Sequence, residues 1–88
     1  MRVIRSKAGK TLELIVELEV DVIRRIEISG DFMAHPTEAI EGLERRLRGV
    51  RLGEHAEVIR EALKDVELIG ITVEDILNAL GEMLRGQT

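Results

Sequence analysis

The chain has 88 residues, 44% hydrophobic and 34% charged, a balance that fits one compact globular domain over residues 1–88 and leaves no room for a second. Its net charge of −4, the lack of any lysine- or arginine-rich run free of neighbouring acids, and a single aromatic residue, Phe32, argue against nucleic acid, which is held by basic surfaces and aromatic stacking. With no cysteine there is no disulfide, thiolate nucleophile or cysteine–zinc site, and the aliphatic runs fall far short of the roughly 20 residues that cross a bilayer. No basic apolar leader marks the chain for export, so the expectation is a cytoplasmic protein with no membrane partner.

Val3 and Ile4 suggest a short first strand, with Ala8-Gly9-Lys10 as the turn into a second. The second strand is the clearest element: Leu12, Leu14, Val16, Leu18 and Val20 fall on one face, with Glu13, Glu17 and Glu19 opposite. Asp21 then lies in a hairpin leading to a third strand, in which Val22, Ile26 and Ile28 are expected opposite Ile23, Arg25, Glu27 and Ser29. Glu17 and Glu19 are placed to face Arg24 or Arg25, setting register more than stability.

After Gly30 the apolar period lengthens. Pro36 suits a first helical turn, followed by Ala39, Ile40, Leu43 and Leu47 at helical spacing; Arg45, Arg46 and Arg48 favour the negative end, and Gly49 suits a left-handed stop. A second helix is expected from about Glu54 to Val66, built on Val58, Ile59, Ala62, Leu63 and Val66. The segment Glu67–Ile71 reads as an extended connector, and Thr72 with Asp75 forms an acidic variant of the capping box opening a third helix. That helix is expected to bury Val73, Ile76, Leu77, Leu80 and Leu84 and to stop at Arg85-Gly86. The order predicts a two-layer α+β fold, an antiparallel sheet of about three strands against two to three helices.

Chemistry-bearing patterns are sparse. Gly9-Lys10-Thr11 ends like a phosphate-binding loop, but Ile4 stands where that motif needs glycine and a strand follows where it needs a helix. Asp31, His35 and His55 have metal-compatible side chains without metal-site spacing; the helix-start positions of both histidines suit surface or capping roles. Glu38, Glu41 and Glu44 read as a solvated helix face beside arginines rather than a catalytic carboxylate couple. No serine, threonine or lysine has an evident base partner, so no catalytic residue is assigned. Ser29-Gly30-Asp31-Phe32 is the most distinctive local feature. It suits either a strand-to-helix corner, with Asp31 bonding nearby amides and Phe32 covering the core's end, or a contact surface.

The run from Ile26 to Gly49, with Gly30-Asp31-Phe32 ending a strand and a helix closing on Leu47-Arg48-Gly49, resembles the C-terminal domain of lipoate–protein ligases. The glycine-lysine turn, the preceding strand pair and the opening Gly70-Ile71-Thr72-Val73-Glu74-Asp75-Ile76 extend the resemblance over nearly the whole chain. Met33 departs from it, standing where relatives often carry a second aromatic.

The resemblance implies an accessory role. In that family a large domain binds ATP and lipoate, makes lipoyl-adenylate and transfers lipoate to a lysine of an acceptor domain, while the small domain assists activation. Some microbes encode the two parts separately, and a chain of this length beginning with its own methionine suits the small subunit. It would bind no cofactor alone, with ATP, magnesium and lipoate held in the complex. Its partner would be the catalytic subunit and, indirectly, lipoyl acceptor domains of 2-oxoacid dehydrogenase or glycine cleavage complexes. By the same resemblance Lys7, Gly9, Lys10, Gly30, Asp31 and Phe32 are expected near the partner or its active site, with Lys7 or Lys10 placed to approach a phosphate. The competing expectation is a stand-alone small-molecule-sensing or dimerising α+β module of βαββαβ order, which requires a strand near Glu67–Ile71 central in the sheet.

Overall fold

In the computed structural model, residues 2–8 and 12–85 are described, with side chains described for residues 12–82. Strand β2 (Leu12–Glu19) realises its alternation as far as Leu18: Leu12, Leu14, Val16 and Leu18 are buried and Glu13, Ile15 and Glu17 face the other way, whereas Val20 lies in the turn beyond the strand and is exposed. The strand is central in a three-stranded antiparallel sheet ordered β1-β2-β3, with β1 at Arg2–Ala8 and β3 at Val22–Gly30. Strand β1 is therefore longer than Val3 and Ile4 alone suggest, and Gly9 and Lys10 of the expected turn lie outside the described residues.

The expected facing of β3 is corrected by a bulge. Glu17 pairs with Arg25 but Leu18 pairs with Ile23, so Arg24 is an extra residue that shifts the alternation by one position. Ile23, Ile26 and Ile28 consequently all point into the core, while Arg24 and Arg25 both face solvent. Arg24 Nε donates to Glu19 Oε2 at 2.7 Å, the cross-strand pairing expected of the hairpin, whereas Arg25 turns to Glu27 on its own strand.

Helix α1 (Ala39–Leu47) starts three residues after Pro36, whose carbonyl accepts the Ala39 N–H at 3.1 Å, so the proline lies in the turn before the helix rather than in its first turn. Gly49 has φ +82, the left-handed stop expected there. The loop beyond it closes the free edge of β3: Gly49 N donates to Ile23 O, Ile23 N to Val50 O, and Leu52 N to Asp21 O, at 2.7, 2.9 and 2.8 Å. Further along the same edge, Glu44 of α1 accepts the Ile28 N–H at 2.8 Å. Glu44 is thus not simply part of a solvated helix face; it covers an edge donor that would otherwise lack a partner.

Helix α2 (His55–Leu63) ends short of Val66, and α3 (Val73–Arg85) opens with the expected box: Thr72 N donates to Asp75 Oδ2 and Asp75 N to Thr72 Oγ1, at 2.9 and 3.2 Å. Two short strands, β4 (Met33–His35) and β5 (Glu67–Ile69), pair as an antiparallel ribbon separate from the main sheet. The second falls within the segment Glu67–Ile71 expected as an extended connector, and the first directly follows the Ser29–Phe32 corner; three residues are too few to display a period.

The layers meet at Leu14, Val16, Leu18 and Ile23 from the sheet and Leu43, Leu47, Ile59, Ile76 and Leu80 from the helices, all with no measurable exposure. Val73 and Leu77 pack against this core from its edge, and the side chain of Leu84 and residue Gly86 lie outside the described set. The architecture is the two-layer α+β fold expected.

Candidate functional site

Three strand ends line up at one end of the sheet. Ala8 pairs with Leu12, and Leu12 with Gly30, so the end of β1, the start of β2 and the exit from β3 are neighbours across the ladder. Lys7 is one register step inside this line, opposite Glu13, which in turn faces Ser29. The backbone therefore brings the end of β1, the start of β2 and the Gly30-Asp31-Phe32 corner to the same end; Gly9 and Lys10 lie outside the described residues.

At the corner Gly30 has φ +148, a backbone geometry that side chains rarely adopt, and the chain turns from β3 into β4. Phe32 is partly buried and packs against the core, as expected of a residue covering its end. Asp31 is exposed and, among the described residues, its carboxylate makes no hydrogen bond or ion pair. A carboxylate at a tight corner with no partner among the described residues fits the contact reading.

Sequence reasoning missed Gly70. It has φ +98, and a Cβ built there would stand 3.0 Å from the Asp31 carbonyl oxygen and 3.3 Å from Phe32 Cα. The two segments that carry the family resemblance, Gly30-Asp31-Phe32 and the opening at Gly70, are thus in van der Waals contact, held by the β4–β5 pairing. The sequence marks Gly70 only as the start of a helix opening, and a close approach between residues about forty positions apart leaves no local trace.

The histidines have separate environments. His35 is exposed in β4 rather than capping α1. His55 begins α2 but is buried, not on the surface, and its Nδ1 accepts the Gly53 N–H at 3.1 Å. That bond requires a neutral imidazole with its proton on Nε2, and burial lowers the His55 pKa below the ordinary histidine value, consistent with that state. Thr37 Oγ1 donates to Glu38 Oε2 at 2.9 Å, which holds the Glu38 carboxyl below its usual range. An open groove of about 520 Å³ lies between α1 and α2, lined by Arg46, Glu57, Val58, Arg60 and Glu61. No helix among the described residues is long and apolar enough to cross a membrane.

An antiparallel sheet with helices on one face and a glycine-bounded corner at its end define a small two-layer α+β domain. The chain belongs to the lipoate–protein ligase C-terminal family: the model described as bacterial lipoate protein ligase C-terminus matches residues 3–80. It is 32% identical over 85 residues to lipoate-protein ligase A subunit 2 of Thermoplasma acidophilum, covering 91% of this chain and 90% of that one. It also superposes with a TM-score of 0.78 and 33% identity on a chain from the structure of an archaeal lipoylation system, a bipartite lipoate protein ligase and its E2 lipoyl domain from the same organism. That match covers 91% of this chain and 93% of the other.

Proposed function

We propose that this chain is the small, non-catalytic subunit of a two-component lipoate–protein ligase. It joins a separate catalytic subunit, and the pair activates lipoate with ATP to lipoyl-adenylate before transfer to a lysine of an acceptor domain. The supporting observation is the end-to-end match with subunit 2 of a bipartite ligase, which covers nine-tenths of both chains. Since the match spans nine-tenths of the relative rather than one short stretch of it, the role of that relative is the natural reading for this chain.

Chemically the subunit acts by position. Covering the partner's pocket and ordering its loops excludes water and brings binding interactions into play in the transition state, with no acid or base donated from this side. The corner Gly30-Asp31-Phe32 and the turn from Lys7 to Lys10 face the partner in this reading. ATP, lipoate and magnesium belong to the complex in this reading. The pair works in the cytoplasm on lipoyl domains of 2-oxoacid dehydrogenase or glycine cleavage complexes.

The alternative sensing module is disfavoured by one feature: a strand does form at Glu67–Ile69, but it pairs with β4 outside the main sheet instead of lying centrally within it. The test is reconstitution. The chain mixed with the catalytic subunit from the same genome should make lipoylation of an acceptor domain from ATP and lipoate possible, and a catalytic subunit equally active alone would refute the reading.

A further inference from the structure

The outer face of the β4–β5 ribbon carries an apolar pair that none of the described residues covers. The register Met33↔Ile69, Ala34↔Leu68, His35↔Glu67 sends alternate pairs to opposite faces. Ala34 is buried and Leu68 packs against the core, so Met33 and Ile69 point outward together with His35 and Glu67. Met33 is 57% exposed and Ile69 49% exposed. As direct cross-strand partners they form one patch, since such side chains stand about 5 Å apart. The other large exposed hydrophobic among the described residues, Val20, is alone at the opposite end of β3.

A short ribbon gains nothing by showing two aliphatic side chains to water, and soluble proteins usually place charge on such strands. Acids flank the patch: Asp31 two residues before Met33, and Glu67 two residues before Ile69. We infer that this face docks on the catalytic ligase subunit, Met33 and Ile69 entering an apolar recess with a cationic rim. The inference rests on the accessory-subunit reading above and gives that contact its location.

Area and charge choose this occupant over a second copy of the chain. The two side chains expose on the order of 200 Å², so two copies face to face would bury about 400 Å² of them, against roughly 1,200–2,000 Å² in a stable interface. The same approach would bring Asp31 and Glu67 of two chains of net charge −4 together. A larger partner avoids both penalties, because it can reach past the ribbon to the adjoining corner and neutralise the flanking acids. The patch then serves as the buried centre of a wider contact, where binding energy concentrates.

The experiment measures the dissociation constant of the chain from the catalytic subunit by calorimetry, for the wild type, Met33→Glu, Met33→Lys, the double variant Met33→Ser with Ile69→Ser, and Val20→Ser as a control at the far end. Expected is a loss of about 30-fold or more for the double variant, or about 2 kcal/mol. Met33→Lys should be weaker than Met33→Glu because the rim is cationic, Val20→Ser should bind within twofold of wild type, and circular dichroism should stay native throughout. Wild-type binding with a double variant that binds within threefold overturns the docking face and leaves the accessory reading standing. No wild-type binding or stimulation overturns both. A wild-type dimer in sedimentation that the double variant abolishes assigns the patch to a second copy and also overturns the inference.

Discussion

Replacing Gly70 with alanine tests whether the corner and the ribbon are one mechanical unit. Two costs combine. The backbone at φ +98 is strained for any residue with a side chain, about 1–2 kcal/mol. The new methyl would also stand 3.0 Å from the Asp31 carbonyl oxygen and 3.3 Å from both Phe32 Cα and Phe32 Cβ, so the corner must shift by a few tenths of an ångström. Crowding of this kind typically costs about 1–3 kcal/mol. The sum, about 3 kcal/mol, is a large part of the stability of so small a domain and corresponds to a fall in melting temperature of roughly 12–24 °C.

Two other glycines serve as internal controls for chemical denaturation and thermal melts. Gly49 has φ +82 but nothing within 4 Å of a built Cβ, so Gly49→Ala carries the backbone strain without the collision. Gly42 lies inside α1 with open space around it, and alanine there should stabilise by about 0.5–1 kcal/mol. The effect of alanine on the unfolded chain is common to all three and cancels in comparison. Expected is the order Gly42→Ala above wild type, Gly49→Ala below it, and Gly70→Ala lower again by at least about 1 kcal/mol. A Gly70→Ala variant no less stable than Gly49→Ala would refute the claim that the Asp31–Phe32 corner packs against Gly70.

Glu44→Ala should destabilise by about 1–3 kcal/mol by leaving the part-buried Ile28 N–H without an acceptor, whereas Glu44→Gln keeps an acceptor and should cost much less in urea unfolding. Thr72→Ala removes one half of the cap on α3 and should cost about 1 kcal/mol, read as lower helical ellipticity and an earlier melt. For His55 the folded pKa is lowered, so the unfolded chain binds the extra proton more readily. Stability should be full above about pH 6.5 and fall as pH drops through the folded pKa, and His55→Gln should flatten that dependence.

Much of this architecture was legible because it is periodic or punctuated. The alternation from Leu12 to Leu18, the Thr72–Asp75 box and the left-handed Gly49 each arise from local rules and appear as expected. The phase of β3 was not legible, because the bulge at Arg24 is chosen by the hairpin as a whole and moves Ile23 to the core side. His55 presents the same difficulty: its position in a first helical turn says surface, and only packing against the rest of the molecule makes it a buried acceptor. The candidate site was half legible. Its residues stand out as a motif, but the alignment of Ala8, Leu12 and Gly30, the contact at Gly70 and the outward pair Met33–Ile69 are products of long-range pairing.

The accessory-subunit account is tested most directly by following lipoate-dependent exchange of labelled pyrophosphate into ATP, which reports adenylate formation without the transfer step. The account requires exchange only when the catalytic subunit and this chain are both present, with neither active alone, and lipoyl transfer independent of this chain once preformed lipoyl-adenylate is supplied. Full exchange by the catalytic subunit without this chain would contradict it.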